Sequence, residues 1–228
     1  MPSSAPHPDP SRLAPGPVPN VAPGVAPGAS ASSWRGLIKS IFSRKALALG
    51  RLERAFADHP EAADLAKALW LTRRARRLSD WGNGYQARLY LDEALRTRPD
   101  FFPAQLHLAA LYRHYALHTG VVTMLDTAQK LLDDMPQQTQ LLGRRLSLCE
   151  CGEAVEAERS SLVLLKGDRK LAVTHARRAL SLHQRAESAD PEAVSFLEST
   201  GCRLHAPMLG RLQGRVDALE KELGRAAD

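Results

Sequence analysis

The sequence predicts an all-α fold built from repeated helical hairpins, and three observations carry that expectation. The 228 residues are rich in Ala, Leu and Arg, only 5% are aromatic, and apolar residues fall at helical rather than alternating spacing. A pattern of small and bulky apolar residues recurs along the chain. Proline follows several copies at the point where a helix has to stop.

The recurring pattern is a small residue, a bulky apolar residue four positions on, Ala three further on, and Pro five beyond that. Ala48, Leu52, Ala55 and Pro60 form one copy, and Ala87, Leu91, Ala94 and Pro99 form a second. Val121, Leu125 and Ala128 match its first three positions, with Pro136 arriving late. Ala172, Ala176 and Ala179 match it with a smaller middle residue. Successive copies start 39, 34 and 51 residues apart. Packing supplies the reason. Two antiparallel helices approach closely only where small side chains let one backbone nest against the other, and a bulky neighbour fills the remaining groove.

Each such helix needs a first helix ahead of it. "PEAADLAKALWLTRRARRLSD" supplies one, and "GNGY", Gly82 to Tyr85, reads as a helix stop and restart. "FPAQLHLAALYRHYAL" supplies another, with Leu108, Ala109 and Tyr112 in a large-small-large arrangement. "VEAERSSLVLL" supplies a third, with Gly167-Asp168 at its turn. The segment "QQTQLLGRRLSLCEC", between Asp133 and Cys151, is expected to be an extra helix that accounts for the longest offset.

Residues from about 45 to 185 resemble a degenerate tetratricopeptide repeat (TPR) array, most fully over residues 68–135, and 34 residues is that family's period. The resemblance implies a right-handed superhelix of three to four stacked hairpins, whose first helices line a concave peptide groove. Leu71 and Gln105 stand where the family usually carries a bulky aromatic, and Ala75 and Ala109 where it usually carries glycine.

Residues 1–33 are dominated by Pro, Ala, Gly and Ser, with the near-repeat "VAPGVAPG", and read as a disordered tail. Residues 34–60 open with Trp34, Leu37, Ile38, Ile41 and Phe42 on one helical face, with Arg35, Lys39, Arg44 and Lys45 mostly around the other. A basic amphipathic helix of this kind either caps its own domain or docks on an anionic membrane or a partner. The repeat domain then spans 61–189. In 190–228, Asp190-Pro191-Glu192 starts a capping helix expected to end near Gly201. Leu209, Leu212, Val216, Leu219 and Leu223 follow as a heptad seam that caps the stack or pairs two chains into a homo-oligomer.

No catalytic signature is legible. "GNGYQA" lacks the lysine of a phosphate loop and the strand context of a dinucleotide fold. His107, His114 and His118 could share a helical stripe, with no carboxylate placed among them. Cys149, Cys151, Cys202 and His205 could supply zinc ligands, yet C-x-C on a helix sends its thiols to different faces. Three cysteines are too few for a disulfide framework and suit a reducing compartment. The chain therefore reads as non-enzymatic, with no catalytic residue, cofactor or metal assigned.

The formal charge of +6 is unevenly placed: residues 1–100 hold 15 Lys/Arg against 9 Asp/Glu, and the remainder 16 against 16. Arg73, Arg74, Arg76 and Arg77 form the densest cluster. They lack the interleaved aromatics or groove-reading motif of a nucleic-acid binder, although phosphate contact without sequence readout stays open. Aligning the hairpins on the family points Arg73, Arg76, Arg113 and His114 into the groove, where they favour an acidic peptide segment or a free carboxylate. The family's asparagine-lysine carboxylate clamp is missing. The expected function is that of an adaptor or chaperone-like scaffold, cytoplasmic and bacterial in composition. The alternatives are a membrane-peripheral assembly factor anchored through Trp34–Phe42 and a nucleic-acid-associated factor using Arg73–Arg77.

Overall fold

The structure is a computed structural model that describes residues 60–135, 138–141, 144–186, 197, 198 and 200–225. The tail, the Trp34–Phe42 face, Ala48, Leu52 and Ala55 of the first pattern copy, and the expected helix start Asp190-Pro191-Glu192 lie outside the described residues.

Three helical hairpins form the body. α1 (Pro60–Asp80) pairs with α2 (Gly84–Thr97), α3 (Phe102–Thr119) with α4 (Thr123–Asp133), and α5 (Leu148–Leu165) with α6 (Arg169–Ala186). The first helices also touch in sequence, α1 with α3 and α3 with α5, while α2 meets α3 and α4 meets α5. A last helix, α7 (Ala206–Arg225), packs on α6. No helix among the described residues is long and apolar enough to cross a membrane.

Local chemistry explains the breaks. Gly82 ends α1 with φ of 78°, a left-handed conformation that glycine adopts without penalty. Asn83 restarts the chain as N-cap of α2, its side-chain oxygen accepting the Gln86 N–H at 3.2 Å. Pro103 sits in the first turn of α3, where its missing N–H costs nothing. Asp168 accepts the Leu171 N–H at 2.9 Å and opens α6.

The small residues of the pattern lie where helices touch. Ala87, Leu91 and Ala94 are the buried residues of α2, and Ala172, Ala176 and Ala179 are fully buried on α6. The copy in the second hairpin is shorter than its sequence suggests. Leu125 and Ala128 are buried on α4, but Val121 precedes the helix and is 41% exposed, because α4 begins only at Thr123. Leu65, Leu69, Leu91, Phe101, Phe102, Leu132 and Leu162 complete the main core. Burying each contributes roughly 2 kcal/mol.

The expected extra helix is a correction. Residues Gln138–Leu141 and Arg144–Ser147 form an antiparallel two-stranded ribbon, with Thr139 opposite Leu146 and Leu141 opposite Arg144. Pro136 bars α4 from continuing, and Gly143, which would cost about 1 kcal/mol inside a helix, falls between the two strands in sequence. The all-helical class thus describes the packed body, with one ribbon inserted before α5.

The heptad seam is spent inside the chain. Leu212, Val216 and Leu219 are buried with Val163, Ala172, Val173, Ala176, Ala179 and Leu204, and Leu209 and Leu223 pack against them.

Candidate inner-face site

The segment from Leu197 to Leu204 lies across the faces of α1, α3 and α5. Gly201 adopts φ of 71°, and its N–H and that of Cys202 bond back to the Glu198 and Leu197 carbonyls at 3.1 and 2.8 Å. This is the helix stop expected near that residue. The positive φ calls for glycine; a Cβ there would also sit 2.1 Å from an Arg76 guanidinium nitrogen, the far end of a flexible side chain that can move aside. The Thr200 carbonyl accepts a hydrogen bond from His107 Nε2 at 2.7 Å, which fixes the proton on that ring nitrogen. Burial, with Arg76 adding to it, outweighs the carbonyl's effect and pushes the His107 pKa down to about 4, so the ring is neutral.

A buried acid anchors the same segment to the third hairpin, and a second braces that hairpin internally. Glu153, 1% exposed, accepts the Leu204 N–H at 2.8 Å through one oxygen and His183 Nδ1–H at 2.5 Å through the other. Glu156 one turn on accepts from His175 Nδ1 at 2.7 Å and from Arg159 at 3.0 Å. Charges this enclosed are tolerated only with partners, and each carboxylate oxygen has one. Cys202 is fully buried in the main core and its thiol is pushed up to about 12, chiefly by that burial, so it is held as the neutral thiol.

Two adjoining cavities remain open along α3. The first, about 330 Å³, is walled by α1, α2 and α3 and lined by Arg76, Ser79, Asp80, Arg113 and His114 over an apolar floor that includes Ala87 and Leu91. The second, about 380 Å³, lies between α3, α5 and α7 and is lined by Arg113, Glu158, Ser161, Arg211 and Arg215 among apolar residues. His107, Ala110 and Arg113 belong to both.

Three of the four residues expected in the groove therefore meet: Arg76, Arg113 and His114 line the first cavity. Arg73, one turn before Arg76, does not line either cavity. Its pKa is lowered by burial first and by Arg77 and Arg76 second. Trp34, Leu37, Ile38, Ile41 and Phe42 lie outside the described residues. Of the histidine stripe, His114 and His118 stack edge to face with centroids 4.2 Å apart, while His107 is committed to Thr200. No group of three or more His, Cys, Asp or Glu among the described residues could hold a metal ion.

Arg88, Arg96, Arg98, Arg159, Arg169, Arg177 and Arg203 each meet a carboxylate within 4.0 Å. Arg76, Arg211 and Arg215, which line the cavities, have no carboxylate partner among the described residues; Arg215 donates instead to the Ser161 hydroxyl at 2.8 Å. Arg113 is paired, with both prongs of its guanidinium on Glu158. No sequence pattern singles out Glu158, Ser161 or Arg211. The 211/215 spacing says only that residues four apart share a helix face.

A scan against family models, a search of curated proteins and a search of solved structures each find no match for this chain.

Proposed function

We propose that the chain is a non-enzymatic scaffold that binds an acidic segment of another protein at the cavity between its first two hairpins. The hairpins would be units of a TPR-like right-handed superhelix. The observation that carries the reading is the convergence of Arg76, Arg113 and His114 on one cavity, with Asp80 the acidic residue in its lining. A carboxylate entering there meets a guanidinium that lacks a carboxylate partner, and charge-assisted hydrogen bonds of that kind are about twice as strong as neutral ones. Ala87, Leu91 and Leu111 beneath the charges add an apolar floor for the neighbouring side chain.

The test is fluorescence anisotropy of a labelled Asp/Glu-rich peptide at low and moderate salt. Arg76→Ala with His114→Ala should weaken binding about tenfold, and Arg77→Ala, on the exposed side of α1, should not. Equal binding by all three proteins would remove the proposal.

A further inference from the structure

We propose that the second cavity, between α3, α5 and α7, is a binding site for a phosphomonoester dianion, gripped by Arg113, Arg211 and Arg215 with the Ser161 hydroxyl beside them. It goes beyond the acidic-segment reading, because Arg211, Arg215 and Ser161 play no part in the first cavity.

The geometry brings the groups together from three helices. Glu158 and Ser161 are three residues apart on α5 and so share a face. Arg113 reaches Glu158 from α3, and Arg215 reaches Ser161 from α7, which sets two guanidiniums against one turn of α5. Arg211 lies one turn before Arg215 on α7 and lines the same cavity; its Nε–H is held by the Pro207 carbonyl at 3.2 Å, and its terminal nitrogens make no hydrogen bond among the described residues.

Charge selects the ligand. Three guanidiniums line the cavity against one carboxylate, Glu158, and His107, the remaining titratable group in the lining, is neutral. The site therefore carries two positive charges that no described residue neutralises. A single carboxylate, or the monoanion of a phosphodiester, would leave one of them uncompensated in a half-enclosed space. A phosphomonoester, close to a dianion above neutral pH, offsets both and matches the planar fork of arginine through paired oxygens. Burial first and Arg113 second lower the Arg215 pKa, with Glu158 opposing, so the two guanidiniums are electrostatically coupled across the cavity. Leu106, Ala154, Ala157, Leu204 and Leu212 give the organic part of the ester an apolar wall.

Calorimetric titration of the full chain with phenyl phosphate at pH 8 and constant ionic strength tests the site. Benzoate and dimethyl phosphate serve as monoanion controls of matching parts. Phenyl phosphate should bind at least tenfold more tightly than either control. Arg211→Gln should weaken it about tenfold, and Arg215→Gln at least as much, while Arg77→Gln should not. Among the described residues Arg211 bonds only within its own helix, so its variant reports on the ligand even if Arg215→Gln perturbs folding. Equal affinity for the monoanions, or unchanged binding in Arg211→Gln, would overturn the proposal. A phosphoserine peptide that binds more tightly than phenyl phosphate places the ester on a protein segment, and equal binding places it on a small molecule; both support the site. Arg76→Ala with His114→Ala should weaken the unphosphorylated acidic peptide and leave phenyl phosphate binding intact, so either reading can fail without the other.

Discussion

Arg113 on α3 and Glu158 on α5 form a two-pronged ion pair between consecutive first helices, with both side chains mostly buried. It lies at the junction of the two cavities and fixes where the Arg113 charge stands. Removing Glu158 alone strands a guanidinium in a partly desolvated place. Glu158→Gln should therefore cost about 1–3 kcal/mol in urea unfolding, and the pair Arg113→Met with Glu158→Gln should cost less than the sum of the singles. Strict additivity would mean the pair is a surface contact of no consequence.

Gly201 carries a backbone cost. Gly201→Ala meets a positive φ, while the Arg76 guanidinium beside it is the far end of a flexible side chain and can swing aside. The expected loss is about 1–2 kcal/mol, and nearly the same when Arg76→Ala is also present. A much smaller loss in the double variant would show that Arg76 is held rigidly over this turn.

The helix-packing alanines should refuse larger side chains. Ala94 and Ala109 are fully buried at the helix contacts. Ala94→Leu or Ala109→Leu should destabilise by about 1–3 kcal/mol, whereas Ala218→Leu, on the exposed side of α7, should be near neutral. Thermal unfolding of the three variants reads this directly.

Acid should loosen the attachment of Thr200. His107 is neutral in the fold with its pKa near 4, below the unfolded value of about 6.5. The unfolded chain therefore binds the extra proton first, and the stability present above pH 6.5 is lost as pH falls toward 4, by about 3 kcal/mol. His107→Gln, which keeps a donor for the Thr200 carbonyl, should flatten that part of the stability profile. A profile identical to the parent's would assign the acid sensitivity to other groups.

Much of the helical body is legible in the sequence because its signals are local. Ala87, Leu91 and Ala94 announce a close helix contact, and Gly82-Asn83 announces a stop and a cap, each within a few residues. The ribbon at 138–147 is not legible this way, since two four-residue segments carry too little pattern to tell a strand from a helix turn. Of the groove, Arg76, Arg113 and His114 follow from hairpin alignment. The partners that define their chemistry do not. Glu158 lies 45 residues from Arg113, Thr200 lies 93 from His107, and Leu204 lies 51 from Glu153. Nothing short-range in the sequence says that the segment around Gly201 returns to cross the first helices.

The proposed acidic segment would bind at the cavity lined by Arg76, Arg113 and His114. The decisive experiment is an Asp/Glu-rich peptide carrying a photo-reactive side chain, cross-linked to the full chain and mapped by mass spectrometry. Attachment is expected on α1 and α3 around Ser79, Ala110 and His114, competed away by unlabelled peptide and reduced in Arg76→Ala. Attachment confined to the outward residues of α2, α4 and α6, or spread evenly over the surface, would contradict it.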